Sequence, residues 1–233
     1  MANKTSSPWG IQGQMDRGKR DFSSLANANE ETTKPALLLH SCCGPCSTSV
    51  IERLAPNYDI TVFFYNPCIT DVEEYERRKA TQIKYIEEFN LKSGDARQIT
   101  FLEGNYNPEA FYRLTSGYEA EPEGGDRCTI CFRQRLEETA AKAKSIGIHG
   151  FTTTLSVSPH KNYLLISQIG QNLAEKYELE FLDLDFKKQA GFQRSIQLSK
   201  DHNLYRQNYC GCQYSKGEKN DKTIYSQGLQ ISD

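Results

Sequence analysis

The chain has 233 residues, 37% of them hydrophobic, and a formal net charge of −2. That length suits one domain with appendages, and the charge lacks the basic excess of a general nucleic-acid binder. No apolar core of a secretory signal opens the sequence, and the longest apolar run, near Ala36–Leu39, is far short of a membrane span of about 20 residues. A cytoplasmic protein with no membrane partner is expected. Reducing conditions there disfavour cystines, so eight cysteines point to metal ligation or redox chemistry.

In chain order, residues 1–34 and 217–233 are polar and show no sustained apolar period; they are expected to be an N-terminal extension and a tail. Residues 35–216 are expected to form a single α/β domain. KPALLLH (34–40) reads as a buried strand. STSVIERLAP (47–56) reads as a short helix that stops before Pro56. YDITVFFYNP (58–67) is rich in β-branched and aromatic residues and predicts a strand. Residues 71–91 carry helix periodicity with Asp71 as N-cap. A strand over 96–104, a short helix over 107–117 and an acidic glycine-rich loop over 118–127 follow. Helices are predicted over 128–147, 161–177 and 189–203, and strands over 150–158 and 178–186.

Alternating strands and helices imply a parallel sheet covered by helices on both faces. In such sheets the site lies beyond the carboxyl ends of the strands. HSCCGPC, YNPCIT and TTLSVSP each follow a predicted strand, so these loops should converge on one crevice.

Seven of the eight cysteines form three groups: Cys42, Cys43 and Cys46 in CCGPC, Cys128 and Cys131 in CTIC, and Cys210 and Cys212 in CGC. The spacing of three near a helix start puts Cys128 and Cys131 on one face, where the positive end of the helix favours thiolate. Four thiolates suffice for a zinc or an iron–sulfur cluster. The pattern fits neither a zinc ribbon nor a ferredoxin run, and seven sulfurs exceed one four-ligand site. Either two metal sites adjoin or one site has a redox pair beside it. Adjacent Cys42 and Cys43 are expected to point apart and serve different centres. A zinc site, a metal-free dithiol and structural thiols remain alternatives. Cys68 stands alone and reads as a buried apolar side chain or as a weak site candidate.

These groups sit inside HSCCGPCS (40–47), YNPCI with EYERR (65–78), GGDRCTICFRQRLEETA (124–140), FTTTLSVSPHKN (151–162), DLDFKK (183–188) and LYRQNYCGCQYS (204–215). Together they resemble the epoxyqueuosine reductases of the QueH family. The resemblance implies a Rossmann-like core of the HUP, or adenine nucleotide α-hydrolase-like, kind with a cysteine-rich metal-binding C-terminal segment. It implies reductive removal of the epoxide oxygen of epoxyqueuosine at the tRNA wobble position. The implied cofactors are a 4Fe–4S cluster and an adjacent mononuclear iron, held by the seven grouped cysteines. The implied partners are tRNA carrying epoxyqueuosine and an unidentified electron donor. Cys68 stands where the family commonly has asparagine.

Substrate contacts are expected from Tyr65, Asn66 and Arg78, from Thr153, Ser156, Ser158 and Lys161, and from Tyr205, Arg206 and Tyr209. Residues 187–216 carry six Lys or Arg against Asp201 alone, with the two tyrosines interleaved, which suits phosphate neutralisation and base stacking. No phosphate loop ending in Lys-Ser/Thr and no GxGxxG occurs. ATP hydrolysis, and with it a sulfur-transfer chemistry, is therefore unsupported. The competing reading is a zinc-stabilised nucleic-acid-binding module without catalysis.

Overall fold

Strand β1 (Ala36–His40) lies at the middle of a five-stranded parallel sheet of order β3-β2-β1-β4-β5 in the computed structural model, which describes residues 34–94 and 98–217. The expected polar extension and tail fall almost wholly outside those residues. β2 (Asp59–Phe64) pairs with β1 from Ala36↔Asp59 to His40↔Phe63, and β4 (Gly150–Thr153) pairs on the other side from Leu37↔Gly150 to His40↔Thr153. β3 (Thr100–Glu103) and β5 (Glu180–Phe181) are the edges.

β1 explains the layering. Side chains alternate across a strand. Leu38 packs with Phe132, Leu136, Ile166 and Ile169 on one face, while Leu37 and Leu39 pack with Val50, Ile51, Leu54 and Tyr85 on the other. Helices therefore cover both faces: α4 (Asp126–Ser145) and α5 (Tyr163–Tyr177) on the first, α1 (Gly44–Leu54), α2 (Val72–Ser93) and α6 (Gly191–Asp201) on the second. Short helices α3 (Pro108–Thr115) and α7 (Gln213–Gly217) complete the described chain. The expected α/β class with a parallel sheet is met.

Boundaries differ from expectation where side chains rewrite the backbone. The cysteine turn is the first turn of α1: Cys43 is the N-cap and Pro45 sits at the start, a position where its missing N–H costs nothing. Gly44 is required there. A Cβ would meet Thr81 Cγ2 and the Thr81 carbonyl oxygen at 2.9 Å each. We expect Gly44→Ala to push α1 off α2 and destabilise the protein by about 1–3 kcal/mol, readable as a lower urea midpoint at unchanged slope.

The strand expected over 150–158 ends at Thr153, because the Thr153 hydroxyl accepts the Leu155 amide at 3.1 Å and starts a 3₁₀ turn over Thr154–Val157. The strand expected over 178–186 is shorter too: β5 covers Glu180–Phe181, which pair with Gly150 and Phe151 of β4. Asp71 caps α2 as expected, accepting the amides of Glu73 (3.1 Å) and Glu74 (3.2 Å).

The chain steps from β1 towards β2 through α1, and returns to the opposite side of β1 to form β4. The switch point lies between β1 and β4, and the crevice beyond it is where a ligand binds in such sheets. Beyond the strand ends a third apolar cluster joins Phe64, Cys68, Ile69, Tyr75, Phe111, Cys131 and Cys212. It seats the cysteine segments over the crevice.

Candidate metal centre

Three loops meet at the switch point. The Cys42 amide donates to Thr154 Oγ1 at 3.2 Å, and Thr154 Oγ1 donates to Cys42 Sγ at 3.5 Å, which ties the β1 loop to the β4 loop. Asn66 Nδ2 donates to the Ser41 carbonyl at 2.8 Å, which ties in the β2 loop. Ser41 Oγ donates to Gln82 of α2 at 2.6 Å.

His40 is buried beneath them. Its Nε2 faces the Tyr65 carbonyl at 3.1 Å and its Nδ1 faces Thr153 Oγ1 at 2.9 Å. A carbonyl only accepts, so Nε2 carries the proton and the Thr153 hydroxyl donates to Nδ1. Burial holds the His40 pKa down at about 3. The ring is neutral and acts as a post between the strands.

The sulfurs of Cys42, Cys43 and Cys46 all lie within 4.8 Å of one another, with Cys42 and Cys43 at 3.9 Å. The expectation that the two adjacent cysteines diverge is not met. Cys43 has the extended backbone of an N-cap (φ −175°), and the first helical turn swings Cys46 back onto the same point. Three sulfurs at one spot beside a helix N-terminus suit one metal ion. Hydrogen bonds from Cys43 and Cys46 hold the Cys42 pKa well below the usual thiol range. Gln207 Nε2 donates to Cys43 Sγ at 2.9 Å.

The other five sulfurs form a second set. Cys68, Cys128, Cys131, Cys210 and Cys212 line one cavity with Phe111, Arg127, Phe132 and Arg135. α4 starts at Asp126, two residues earlier than predicted, so Cys128 and Cys131 fall in its first turns. Cys128 Sγ accepts the Gly124 amide at 3.2 Å. Cys68, which the sequence left as a lone cysteine, hydrogen-bonds Cys131 and has its pKa lowered to about 6 by that bond, against the effect of burial. The CGC turn needs Gly211: its φ is +132°, and a Cβ would meet Ile69 at 3.0 Å and Arg78 at 3.2 Å.

Buried cations frame both sets. Arg135 is 2% exposed and forms no ion pair among the described residues. Its Nη2 is buried without a hydrogen-bond partner there, and it borders the sulfur cavity. Its pKa is raised against the cost of burial by Cys131, Cys68, Cys210 and Cys42, sulfurs of both sets. A guanidinium buried without a carboxylate needs another anion nearby. Lys161, half-buried, is held in its charged form by Cys42, Cys210 and Cys46. Soft donors, helix N-termini and an unmatched buried cation fit an anionic metal–sulfur group. Cys68, Cys128, Cys131, Cys210 and Cys212 could hold a cluster and Cys42, Cys43 and Cys46 a single metal ion.

Arg78 locks the site together. It is 2% exposed, donates Nε to Glu74 (2.7 Å), Nη1 to the Cys210 carbonyl (2.9 Å) and Nη2 to the Tyr209 carbonyl (3.2 Å), and so bolts the CGC segment to α2.

The expected substrate residues sort by exposure. Asn66, Thr153 and Ser156 are buried, and Ser156 donates to the Leu184 carbonyl at 3.0 Å. Tyr205 Oη donates to Glu74 at 2.8 Å beneath Arg77, and Arg206 reaches back to Ser195 and Ser199 of α6. Tyr65 is buried with its pKa pushed up to about 12 by burial. Ser158, Lys161, Tyr205 and Tyr209 keep part of their surface exposed, and Arg206 is open. Arg135 and Gln207 escaped sequence reasoning. Arg135 had a signal: Cys128, Cys131 and Arg135 are spaced i, i+3, i+7 on one helical face.

The fold and site define a doubly wound α/β protein with a thiol-rich pocket of the metal-binding kind. The family model for epoxyqueuosine reductase QueH matches residues 37–218. Curated epoxyqueuosine reductases QueH are similar along most of their length. The one from Streptococcus pyogenes serotype M1 is 43% identical over 186 residues, covering 80% of this chain and 72% of the relative. The Thermotoga maritima protein is 36% identical over 189 residues, covering 80% and 93%. The Histophilus somni protein is 36% identical over 220 residues, covering 90% and 87%. The chain belongs to the epoxyqueuosine reductase QueH family, a family of oxidoreductases.

Proposed function

We propose that this protein reduces epoxyqueuosine at the tRNA wobble position to queuosine in the cytoplasm, with residues 35–216 as its catalytic domain. The observation that carries this is the gathering of cysteines from four chain segments beside Arg135, a buried cation with no carboxylate partner among the described residues. The relatives' names supply the substrate class. The reaction consumes two electrons and two protons and releases the epoxide oxygen as water, so a donor of reducing equivalents is required as a partner.

We assign a 4Fe–4S cluster to the five-sulfur cavity and a mononuclear iron to Cys42, Cys43 and Cys46. When bound, such groups supply one-electron transfer and a Lewis acid for oxygen. The chain's own residues do the rest. Arg135 and Lys161 offset the negative charge of the thiolates. His40, Asn66 and Thr154 fix the loops, so the sulfurs cost little to organise on metal binding. Lys161, Ser158, Tyr205 and Tyr209 edge the open side and would meet the nucleoside. Among the described residues no helix is long and apolar enough to cross a membrane.

The test has two parts. Anaerobically purified protein should be brown, bleach with dithionite and contain more than four irons per chain; a colourless zinc protein favours the non-catalytic module instead. Bulk tRNA from a deletion strain should accumulate epoxyqueuosine and lose queuosine. Unchanged queuosine in a strain with no second reductase refutes the proposal.

A further inference from the structure

A second cavity, of about 120 Å³, opens between α1 and α6 and is lined by Ser49, Glu52, Arg53, Phe186, Lys188 and Arg194. Ser49 is 8% exposed, and its Oγ is buried with no hydrogen-bond partner among the described residues. Its neighbours differ: Ser47 and Thr48 donate back to the carbonyls of Gly44 (2.8 Å) and Pro45 (3.0 Å). A buried hydroxyl without a partner is destabilising unless something fills the gap.

α6 begins at the same cavity. Its N-cap, Ala190, offers no side-chain cap, and the amides of Phe192 and Gln193 have no partner among the described residues. Gln189 and Ala190 both take the left-handed conformation, φ 57° each. Gly191 packs so closely on the Phe186 carbonyl that no side chain fits.

Three cations face the cavity against one carboxylate. Glu52 accepts from Arg194 Nε at 2.8 Å and from its Nη2 at 2.5 Å. Arg53 and Lys188 enter no ion pair among the described residues, and Arg53 sits over the Phe186 ring at 5.8 Å. Unused helix amides, a buried hydroxyl and two unmatched cations make a receptor for a tetrahedral oxyanion. Its place is informative. Cys46, Ser49 and Arg53 are spaced i, i+3, i+7 along α1, so the cavity continues the stripe that carries the three-sulfur group, about 4.5 Å further along the helix.

We propose that this cavity binds a backbone phosphate of the tRNA substrate beside the nucleotide that enters the metal centre. The proposal rests on the function given above and adds a phosphate anchor built from Ser49, Arg53, Lys188 and the N-terminus of α6. A free phosphate ion offers the same chemistry, and the experiment separates the two.

The measurement is fluorescence anisotropy of the metal-loaded protein with an unmodified anticodon stem-loop at several salt concentrations. R53Q and K188Q should each weaken binding about tenfold and lower the salt slope by about one. S49A should weaken it less and leave the slope alone. Iron content and visible spectrum should match the wild type in all three, which shows that the centre is intact. Unchanged affinity and slope in R53Q and K188Q overturn the proposal. Inorganic phosphate that raises the wild-type melting temperature, but not that of the variants, with equal RNA affinity throughout, makes this a free-phosphate site and also overturns it. Turnover of epoxyqueuosine tRNA by the wild type tests the function separately. A wild type that binds the stem-loop, with weakened variants, yet reduces nothing keeps the anchor and refutes the reductase.

Discussion

Cys128→Ser or Cys210→Ser is expected to remove the visible absorption of the anaerobically prepared protein and to lower activity by more than about 100-fold. Changes to groups behind the ligands typically cost about 10–100-fold, and loss of a ligand should exceed that. The physical reason is donor softness. A serine hydroxyl is a harder and far weaker ligand for iron than a thiolate. Cys128 and Cys210 enter the cavity from α4 and from the CGC turn, so each change removes one wall of the five-sulfur set. Cys68→Ser should be milder, since Cys68 lies outside the three cysteine groups and the four grouped sulfurs of the cavity, Cys128, Cys131, Cys210 and Cys212, all remain. Iron per chain and the visible spectrum check all three. A Cys128→Ser protein with full iron and full colour would place the cluster elsewhere.

Arg78→Met should destabilise the protein by about 3–5 kcal/mol, the cost of removing one member of a buried ion pair. The change would leave Glu74, whose side chain is 10% exposed, without its cation. It would also leave the carbonyls of Cys210 and Tyr209 without their guanidinium donors. Methionine fills much of the volume, so the loss reads as electrostatic and not as a cavity. Chemical denaturation of the metal-free protein measures it. The same variant should lose iron, because the CGC segment is then no longer pinned to α2. A midpoint shift below about 1 kcal/mol, within the range of exposed ion pairs, would show that Arg78 does not act as a clamp.

The alternation of elements was legible because it rests on local patterns. Leu37 and Leu39 against Leu38 carry the strand period, and Asp71 declares the start of α2. The grouping of seven cysteines was legible for the same reason: each group is short, and its residue types admit few chemistries. The two shortened strands were not. β4 ends because one hydroxyl, Thr153, captures the Leu155 amide, and β5 pairs with Gly150 and Phe151 of β4 and goes no further. A propensity reading sees only a continuing run of β-branched residues and hydroxyls.

The site divided in the same way. CCGPC promised closely spaced sulfurs, but the direction of each depended on where α1 begins. Because Gly44 and Pro45 enter the helix, the three sulfurs turn inward together. Cys68 looked solitary because its partners are distant in sequence. Only the packing of the β2 loop against α4 brings it beside Cys131.

The sequence by itself determined the fold class, the grouping of the cysteines and the family, since these depend on residue type and short spacing. The tertiary structure alone decided that the sulfurs divide into sets of three and five, and that buried Arg135 and Arg78 stand with them. Those facts depend on long-range packing and on the burial of charge, and neither is written in neighbouring residues.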